Sequence, residues 1–270
     1  MLSSEAKGKL VCIQKDFKGK LMVAGDLHGD LEAFEQIRKR FLQTKDSILV
    51  FLGDYADRGS YGLEVIDGVK DLMDKFGYRV IALKGNHEDY RDGIPHFSPC
   101  DLMLEVETKR RARWADFFPR FEREFLLRLP LAVLVPHLAL LVHGGISSKI
   151  RDLADLTTPT ERVEEDVLWS DPCKVKGEYP NPRGTGVLFG PDVSRSLAKR
   201  IGVRFLVRSH ELRKAFEGPC VEHSGRVFTL RSTRVYGGKA FILIFRPDPK
   251  LTQEELRGGM KNLFDQSHER

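Results

Sequence analysis

The chain opens on an apolar–polar pattern that occurs three times. KLMVA (Lys20–Ala24) runs into GDLHGD, SILVFL (Ser47–Leu52) into GDYADRG, and RVIAL (Arg79–Leu83) into KGNHE. Short runs rich in Val, Ile and Leu suit strands buried on both faces. Between the first two lies Leu31–Leu42, with Leu31, Phe34, Ile37 and Phe41 at helical spacing. Between the second and third lies Leu63–Met73, with Val65, Ile66, Val69 and Leu72 on one stripe. The pattern predicts β-α-β-α-β with parallel strands and right-handed crossovers. Each polar motif then sits at the carboxyl end of a strand, where open α/β sheets bind ligands.

The later pattern is less regular. Residues 89–128 are charged and helical in composition, and read as a helical insertion interrupted near Pro119. Leu131–Val135 and Leu138–Val142 read as a two-stranded hairpin that delivers HGGIS. Arg151–Gly186 reads mostly as loop, with a helix-capable acidic piece at Thr160–Val167. Asp192–Ile201 predicts a helix and Arg204–Val207 a strand that delivers RSHE. Arg226–Arg231 and Lys239–Phe245 predict late strands, followed by a polar tail over 247–270. Residues 1–270 read as one α/β domain.

Composition narrows the class. At 270 residues and 41% hydrophobic, the chain can bury a full core without disulfides or a structural metal. Its four cysteines are scattered with no CxxC pair, as in reduced cytoplasmic proteins. The N-terminus lacks a secretory pattern, and the longest apolar run, Leu129–Val142, is broken by Pro136 and His137. It is shorter than the roughly 20 residues a membrane span needs, so no membrane partner is expected. The net charge of +5 admits a nucleic-acid binder, which would show salt-sensitive binding. The basic residues are dispersed, however, and the densest run, Lys109–Arg113, reads as a solvated helix face. A mild positive excess also suits an enzyme acting on phosphorylated substrates, and no nucleic-acid partner is expected.

The strand-end motifs hold a ligand set: Asp26, His28, Asp54, Asn86, His143 and His210. Imidazole and carboxylate without thiolate suit Mn, Fe or Zn. The set is too large for one ion with open positions and suits two sharing a carboxylate, for which Asp54 is the natural bridge. Such a pair would activate a bridging hydroxide for in-line displacement at a phosphoester. The chain has no GxSxG elbow, no GxxxxGK[ST] loop and no GxGxxG fingerprint. His96, His137, His223 and His268 lie outside the motifs. Trp114, Phe117 and Phe118 read as core, Trp169 as packing a loop beside the site, Glu88 as orienting backbone, and Glu161, Glu164, Glu165 and Asp166 as a solvated face.

Taken in order, GDLHG, GDYADRG, GNHE, HGGIS, LWSDP, PRG and RSHE resemble the phosphoprotein phosphatase family, from Leu21 to Phe245. The resemblance implies a calcineurin-like metallophosphoesterase fold, a central β-sandwich flanked by helices. It implies a serine/threonine protein phosphatase acting on phosphorylated proteins with two divalent ions, Mn before Fe or Zn. Asp26 and His28 would hold the first ion, Asp54 would bridge, and Asn86, His143 and His210 would complete the second site. His87 would be the general acid, kept protonated by Asp57. Arg58 and Arg183 would grip the phosphate with Asn86, and Tyr236 would sit over the site. The alternatives are a dinucleoside tetraphosphate hydrolase or a dual-specificity phosphatase that also takes phosphotyrosine. Three features depart from the family: Lys84 replaces an arginine, STRVY replaces SAPNY and keeps only its first and last residues, and Gly237 replaces a toxin-reactive cysteine, so no covalent toxin capture is expected. The short ends resemble those of bare, prokaryotic-type catalytic domains.

Overall fold

The computed structural model describes residues 4–265. His268 lies outside the described residues. The chain begins with an antiparallel hairpin, β1 (Ser4–Lys7) and β2 (Leu10–Ile13). Sequence pattern does not signal it, because β1 is exposed at all but Ser4. The expected β-α-β-α-β unit follows: β3 (Lys20–Ala24), α1 (Leu31–Gln43), β4 (Ser47–Phe51), α2 (Gly62–Phe76) and β5 (Val80–Ala82). All three strands are parallel, with Ala24 opposite Phe51 and Phe51 opposite Ala82. Asp30 caps α1 by accepting the Ala33 N–H at 3.0 Å. Gly68 lets the two helices approach, since a Cβ there would lie 2.4 Å from the Phe34 ring.

The stretch 89–128 is not purely helical. It opens with a small hairpin, β6 (Tyr90–Arg91) and β7 (Ile94–Pro95). Next come α3 (Asp101–Glu105), one π-helical turn (Val106–Arg110) and α4 (Trp114–Glu124). The break falls at Arg111, which is left-handed at φ 52, and not at Pro119, which lies inside α4. Proline removes one N–H from that helix. Burial of Trp114, Phe118 and Phe121 holds the turn regardless.

A third hairpin, β8 (Ala132–Val135) and β9 (Ala139–Val142), lies where expected. The segment read as mostly loop contains α5 (Leu153–Thr157), α6 (Glu161–Trp169), β10 (Asp171–Pro172) and β11 (Glu178–Pro180), the two strands joined in a small sheet by β12 (Val187–Phe189) just beyond it. The acidic face of α6 is not simply solvated. Asp166 is buried and binds Lys149 at 2.6 Å, and Glu164 binds Lys84 at 2.9 Å. The chain continues through α7 (Pro191–Ile201), β13 (Phe205–Arg208), β14 (Cys220–Glu222), β15 (Val227–Thr229) and β16 (Phe241–Phe245). The polar tail is partly structured: α8 (Gln253–Gly258) carries a Thr252–Glu255 capping box, and β17 (Met260–Asn262) pairs with β16.

Two sheets face each other. One has the order β1-β2-β8-β9-β13-β15-β14, the other β17-β16-β3-β4-β5. Leu21, Val23, Ile48 and Val50 from the second meet Val133, Leu141 and Val207 from the first in one buried cluster. The alternate residues of β3 and β4, Met22 and Phe51 among them, pack outward on α1, α2 and α4. Leu134, Leu140 and Val142 pack outward on α6 and α7. This is the expected sandwich flanked by helices, and within each sheet the strands that carry the motifs run parallel, β3, β4 and β5 in one and β9 and β13 in the other.

Candidate active site

The loops after β3, β4, β5 and β13 line a cavity of 780 Å³, and His143 after β9 meets two of its lining residues, Asn86 and His210. Its floor is built by backbone held in unusual conformations. His28, Asp54, Asp57, Arg58 and His210 all lie between φ 47 and φ 74. Non-glycine residues seldom sit there, and clustered strain marks functional loops. Gly53, at φ 111, is the second glycine the fold needs: a Cβ would meet the Gly85 backbone at 2.6 Å.

Glu88 ties these loops together. Buried after β5, its carboxylate accepts N–H bonds from Asp54 at 2.8 Å, Tyr55 at 3.0 Å and Gly85 at 2.9 Å. Ser209 does similar work on the other side, accepting the Asp26 N–H at 2.8 Å and donating to the Leu230 carbonyl at 2.9 Å.

The six candidate ligands all face one another. His28 Nε2 lies 3.8 Å from Asp26 Oδ2 and 3.5 Å from Asp54 Oδ2. His143 Nε2 lies 3.5 Å from Asp54 Oδ1, 2.9 Å from Asn86 Oδ1 and 3.2 Å from His210 Nδ1. The ring orientations are set from behind: His28 Nδ1 meets the Ala56 carbonyl at 3.0 Å and His143 Nδ1 the Leu52 carbonyl at 2.9 Å. That leaves each Nε2 free to ligate, the usual arrangement around metal-binding histidines.

Three observations test the fit to metal. Asp26 Oδ2 and His210 Nε2 are buried without a hydrogen-bond partner. Orphaned polar atoms are costly unless something else engages them. Two trios of ligand atoms, His28–Asp54–His87 and Asp54–His143–His210, each fall within 4.8 Å and share Asp54. Burial, with Asp26 and Glu88 close by, also raises the Asp54 carboxyl well above its ordinary range, a cost that bound cations would reverse. The donor set fits divalent metal, though the first trio contains His87 where Asp26 was expected.

His87 Nδ1 lies 2.7 Å from Asp57 Oδ2, and the Phe97 ring packs on the imidazole at 4.5 Å. Asp57 also accepts the Leu102 N–H at 2.9 Å, which couples the insertion to the site. Burial disfavours both charges of this pair: it raises Asp57 to about 6 and pushes His87 well below its ordinary value. The protonated imidazole anticipated from the sequence is thus opposed by desolvation. The 2.7 Å contact joins the two groups in one hydrogen bond.

Arg58 and Arg183 stand at the cavity wall. The Arg58 guanidinium donates to the Ser98 carbonyl at 3.2 Å. Arg183 is held by Asp171 at 2.9 Å. The half-exposed Tyr236 has its ring 6.5 Å from that of His28. Trp169, the last residue of α6, lies edge-on to His210 at 5.8 Å, beside the site as expected.

Residue types alone did not single out Arg208 and Asp171. Arg208 is fully buried, with Asp171 at 2.8 Å and Glu211 at 2.6 Å. Asp171 therefore bridges a buried arginine to Arg183 and orients the latter. The signal was present as the acid of LWSDP and the arginine of RSHE, but only the fold pairs them. His223 is also buried, bonded to Ser194 at 2.8 Å and to the Cys173 carbonyl at 2.9 Å, away from the cavity.

A profile described as calcineurin-like phosphoesterase matches residues 19–214. The chain belongs to this family. A serine/threonine-protein phosphatase of Caenorhabditis elegans is 33% identical over 76% of the chain and 46% of its own length. Serine/threonine-protein phosphatase 5 of Arabidopsis thaliana is 32% identical over 85% of the chain and 44% of its own length. The chain spans about half the length of the curated relatives it matches. Among solved structures, a Saccharomyces cerevisiae protein serine/threonine phosphatase with similarity to human phosphatase PP5 superposes with TM-score 0.71. It is 26% identical, over 87% of this chain and 75% of that one. A cold-active protein tyrosine phosphatase shares the fold at 14% identity and TM-score 0.63, over 96% of this chain and 83% of that one.

Proposed function

We propose that this phosphoesterase is a metal-dependent serine/threonine protein phosphatase acting on phosphorylated proteins. One observation carries the reading: two arginines and His87, paired with Asp57, line a cavity with His28, Asp54, Asn86 and His210, four of the six convergent metal-type ligands. The names of the relatives support it.

Asp26, His28 and Asp54 would hold one divalent ion, and Asp54, Asn86, His143 and His210 the other. His87, held at Nδ1 by Asp57, is assigned to proton transfer and not to the first set. Mn best suits this donor set, with Fe or Zn next. Such a pair supplies Lewis-acid polarisation and an activated water at neutral pH.

The chain's own groups do the rest. Arg58 and Arg183 meet the phosphoryl oxygens, whose geometry suits planar guanidinium donors. Asp171 and Ser98 fix where those guanidinium groups point. Asn86 adds a polar contact to the phosphate and Tyr236 covers it. His87 would deliver a proton from Nε2 to the departing serine or threonine oxygen, sparing an alkoxide leaving group, while Asp57 holds Nδ1 and steadies the ring. The strained loops hold these groups in place before substrate arrives, so little reorganisation is needed.

A cytoplasmic setting suits the four free cysteines. Among the described residues no helix is long and apolar enough to cross a membrane.

The test is turnover by protein loaded in turn with Mn, Fe, Zn, Co and Mg. Substrates are p-nitrophenyl phosphate, phosphoserine and phosphotyrosine peptides, and a dinucleoside tetraphosphate. Phosphoserine turnover is expected to dominate, and to vanish in Asp54→Asn and His87→Asn while circular dichroism stays native. Turnover confined to the dinucleotide would refute the reading, as would wild-type kcat in either variant.

A further inference from the structure

The cavity holds more positive charge than one phosphate group engages. Five cations line it, Arg58, Arg183, Arg213, Lys214 and Arg231, against the carboxylates of Asp54 and Glu211. Four of the five have protein partners. Arg183 shares Asp171. Lys214 contacts Glu211 at 3.0 Å and Glu222 at 3.2 Å. Arg231 donates to the carbonyls of Leu212, Thr233 and Gly237. Arg58 meets the Ser98 carbonyl. Arg213 is exposed and, among the described residues, makes no hydrogen bond or ion pair.

Its place is nevertheless well defined. It lies in the loop that follows His210, between Leu212, whose carbonyl is bound by Arg231, and Lys214, whose ammonium also meets the Pro172 carbonyl at 2.9 Å. Both neighbours are pinned, so Arg213 is presented at the cavity mouth and not folded back. Burial raises the Tyr236 hydroxyl, and the charges of Arg58 and Arg213 both act in the opposite sense. Arg213 therefore shares the opening with the phosphate-directed arginine while remaining unused by the protein.

We propose that Arg213 recognises a second anionic group on the substrate, so that the preferred substrates are phosphoserine or phosphothreonine segments carrying an acidic side chain or another phosphate nearby. The proposal rests on the phosphatase reading above and narrows its substrate class. A carboxylate or phosphate flanking the scissile group completes the guanidinium that the fold leaves open.

The experiment compares kcat/KM for a phosphoserine peptide with neutral flanks, the same peptide with glutamate at each flanking position in turn, lysine-flanked versions, and doubly phosphorylated versions. Wild type, Arg213→Ala and Arg213→Glu are assayed in the Mn-loaded state. Wild type is expected to favour the best acidic peptide by about fivefold, the upper end for a solvent-exposed ion pair. The gain should appear mainly in KM and shrink with added salt. It should fall towards unity in Arg213→Ala, and Arg213→Glu should favour the lysine-flanked peptide. A larger gain with the second phosphate identifies phosphate as the favoured group, and a larger gain with glutamate identifies carboxylate; both support the proposal. Equal kcat/KM across peptides in wild type overturns it, as does an acidic preference unchanged in Arg213→Ala. In either case phosphoserine turnover itself would leave the phosphatase reading standing. No turnover of any phosphoester, p-nitrophenyl phosphate included, overturns both.

Discussion

Replacing Glu88 with glutamine changes few atoms yet should unsettle the whole floor of the cavity. The carboxylate is 2% exposed and accepts three backbone N–H groups, Asp54 and Gly85 on one oxygen and Tyr55 on the other. Glutamine can keep its single oxygen on Asp54 and Gly85. Its amide NH2 then faces the Tyr55 N–H, donor against donor. Each buried donor left unpaired costs about 1–3 kcal/mol. Two are created, one on the backbone and one on the amide. Against this, the substitution removes a charge that burial disfavours, since burial raises the Glu88 carboxyl to about 7. The net expectation is a loss of about 2 kcal/mol, within the usual span for disrupting a buried polar network. Glu88→Ala orphans all three donors and should cost about twice as much. Urea unfolding followed by circular dichroism at pH 8, with chelator present in every sample, gives the comparison directly. Metal affinity by calorimetry should fall in the same order, because Asp54 and Asn86 ride on the loops that Glu88 joins. A Glu88→Gln protein within about 0.5 kcal/mol of wild type, binding metal normally, would refute the view that this carboxylate organises the site.

Three further outcomes follow from other parts of the fold. Gly53→Ala should destabilise by more than about 2 kcal/mol, because it combines left-handed backbone with a backbone clash. Gly77→Ala, also at positive φ but with nothing within 4 Å of the added Cβ, should cost less in the same urea assay. Glu105 accepts the Gly62 and Leu63 N–H groups at 2.9 and 3.2 Å and so caps α2, whose own N-cap Tyr61 makes no such bond. Glu105→Ala should lower unfolding free energy by about 1–2 kcal/mol, a typical cap loss, and equal midpoints for the two proteins would contradict this. Burial lowers the His223 pKa despite its bond to the Cys173 carbonyl. The unfolded chain therefore binds the extra proton first, so this histidine's contribution is complete above about pH 6.5 and declines as pH falls towards the folded value. His223→Gln should flatten the pH dependence of stability below about pH 6.5, and an unchanged slope in paired urea titrations would count against it.

Local pattern was sufficient where one strand and the motif after it form a continuous stretch of chain. The three apolar runs, the two helices between them and the placing of Asp26, His28, Asp54 and Asn86 at strand ends were all legible, because burial on both faces leaves an uninterrupted apolar record. Where stability comes from distant partners, the record fades. Pro119 looks like a helix break, but buried aromatics on α4 override it while Arg111 ends the preceding turn. The strand β17 is polar and half-buried at the sheet edge, and pairing with β16 holds it. The acids of α6 look like a solvated face until Lys84 and Lys149 come within reach.

The same division runs through the site. Residue types in order were enough to nominate a mixed oxygen and nitrogen ligand set, a His–Asp pair and two phosphate-directed arginines, since each chemistry demands particular side chains. What those side chains become was decided by burial and by neighbours distant in sequence. Desolvation opposes charge on both His87 and Asp57. Asp171 stands between Arg183 and the buried Arg208. Among the described residues Arg213 is left without a hydrogen bond or ion pair beside the cavity. Sequence specifies which groups can ionise or ligate, whereas charge state, orientation and pairing depend on the dielectric and on partners that exist only once the two sheets have closed on each other.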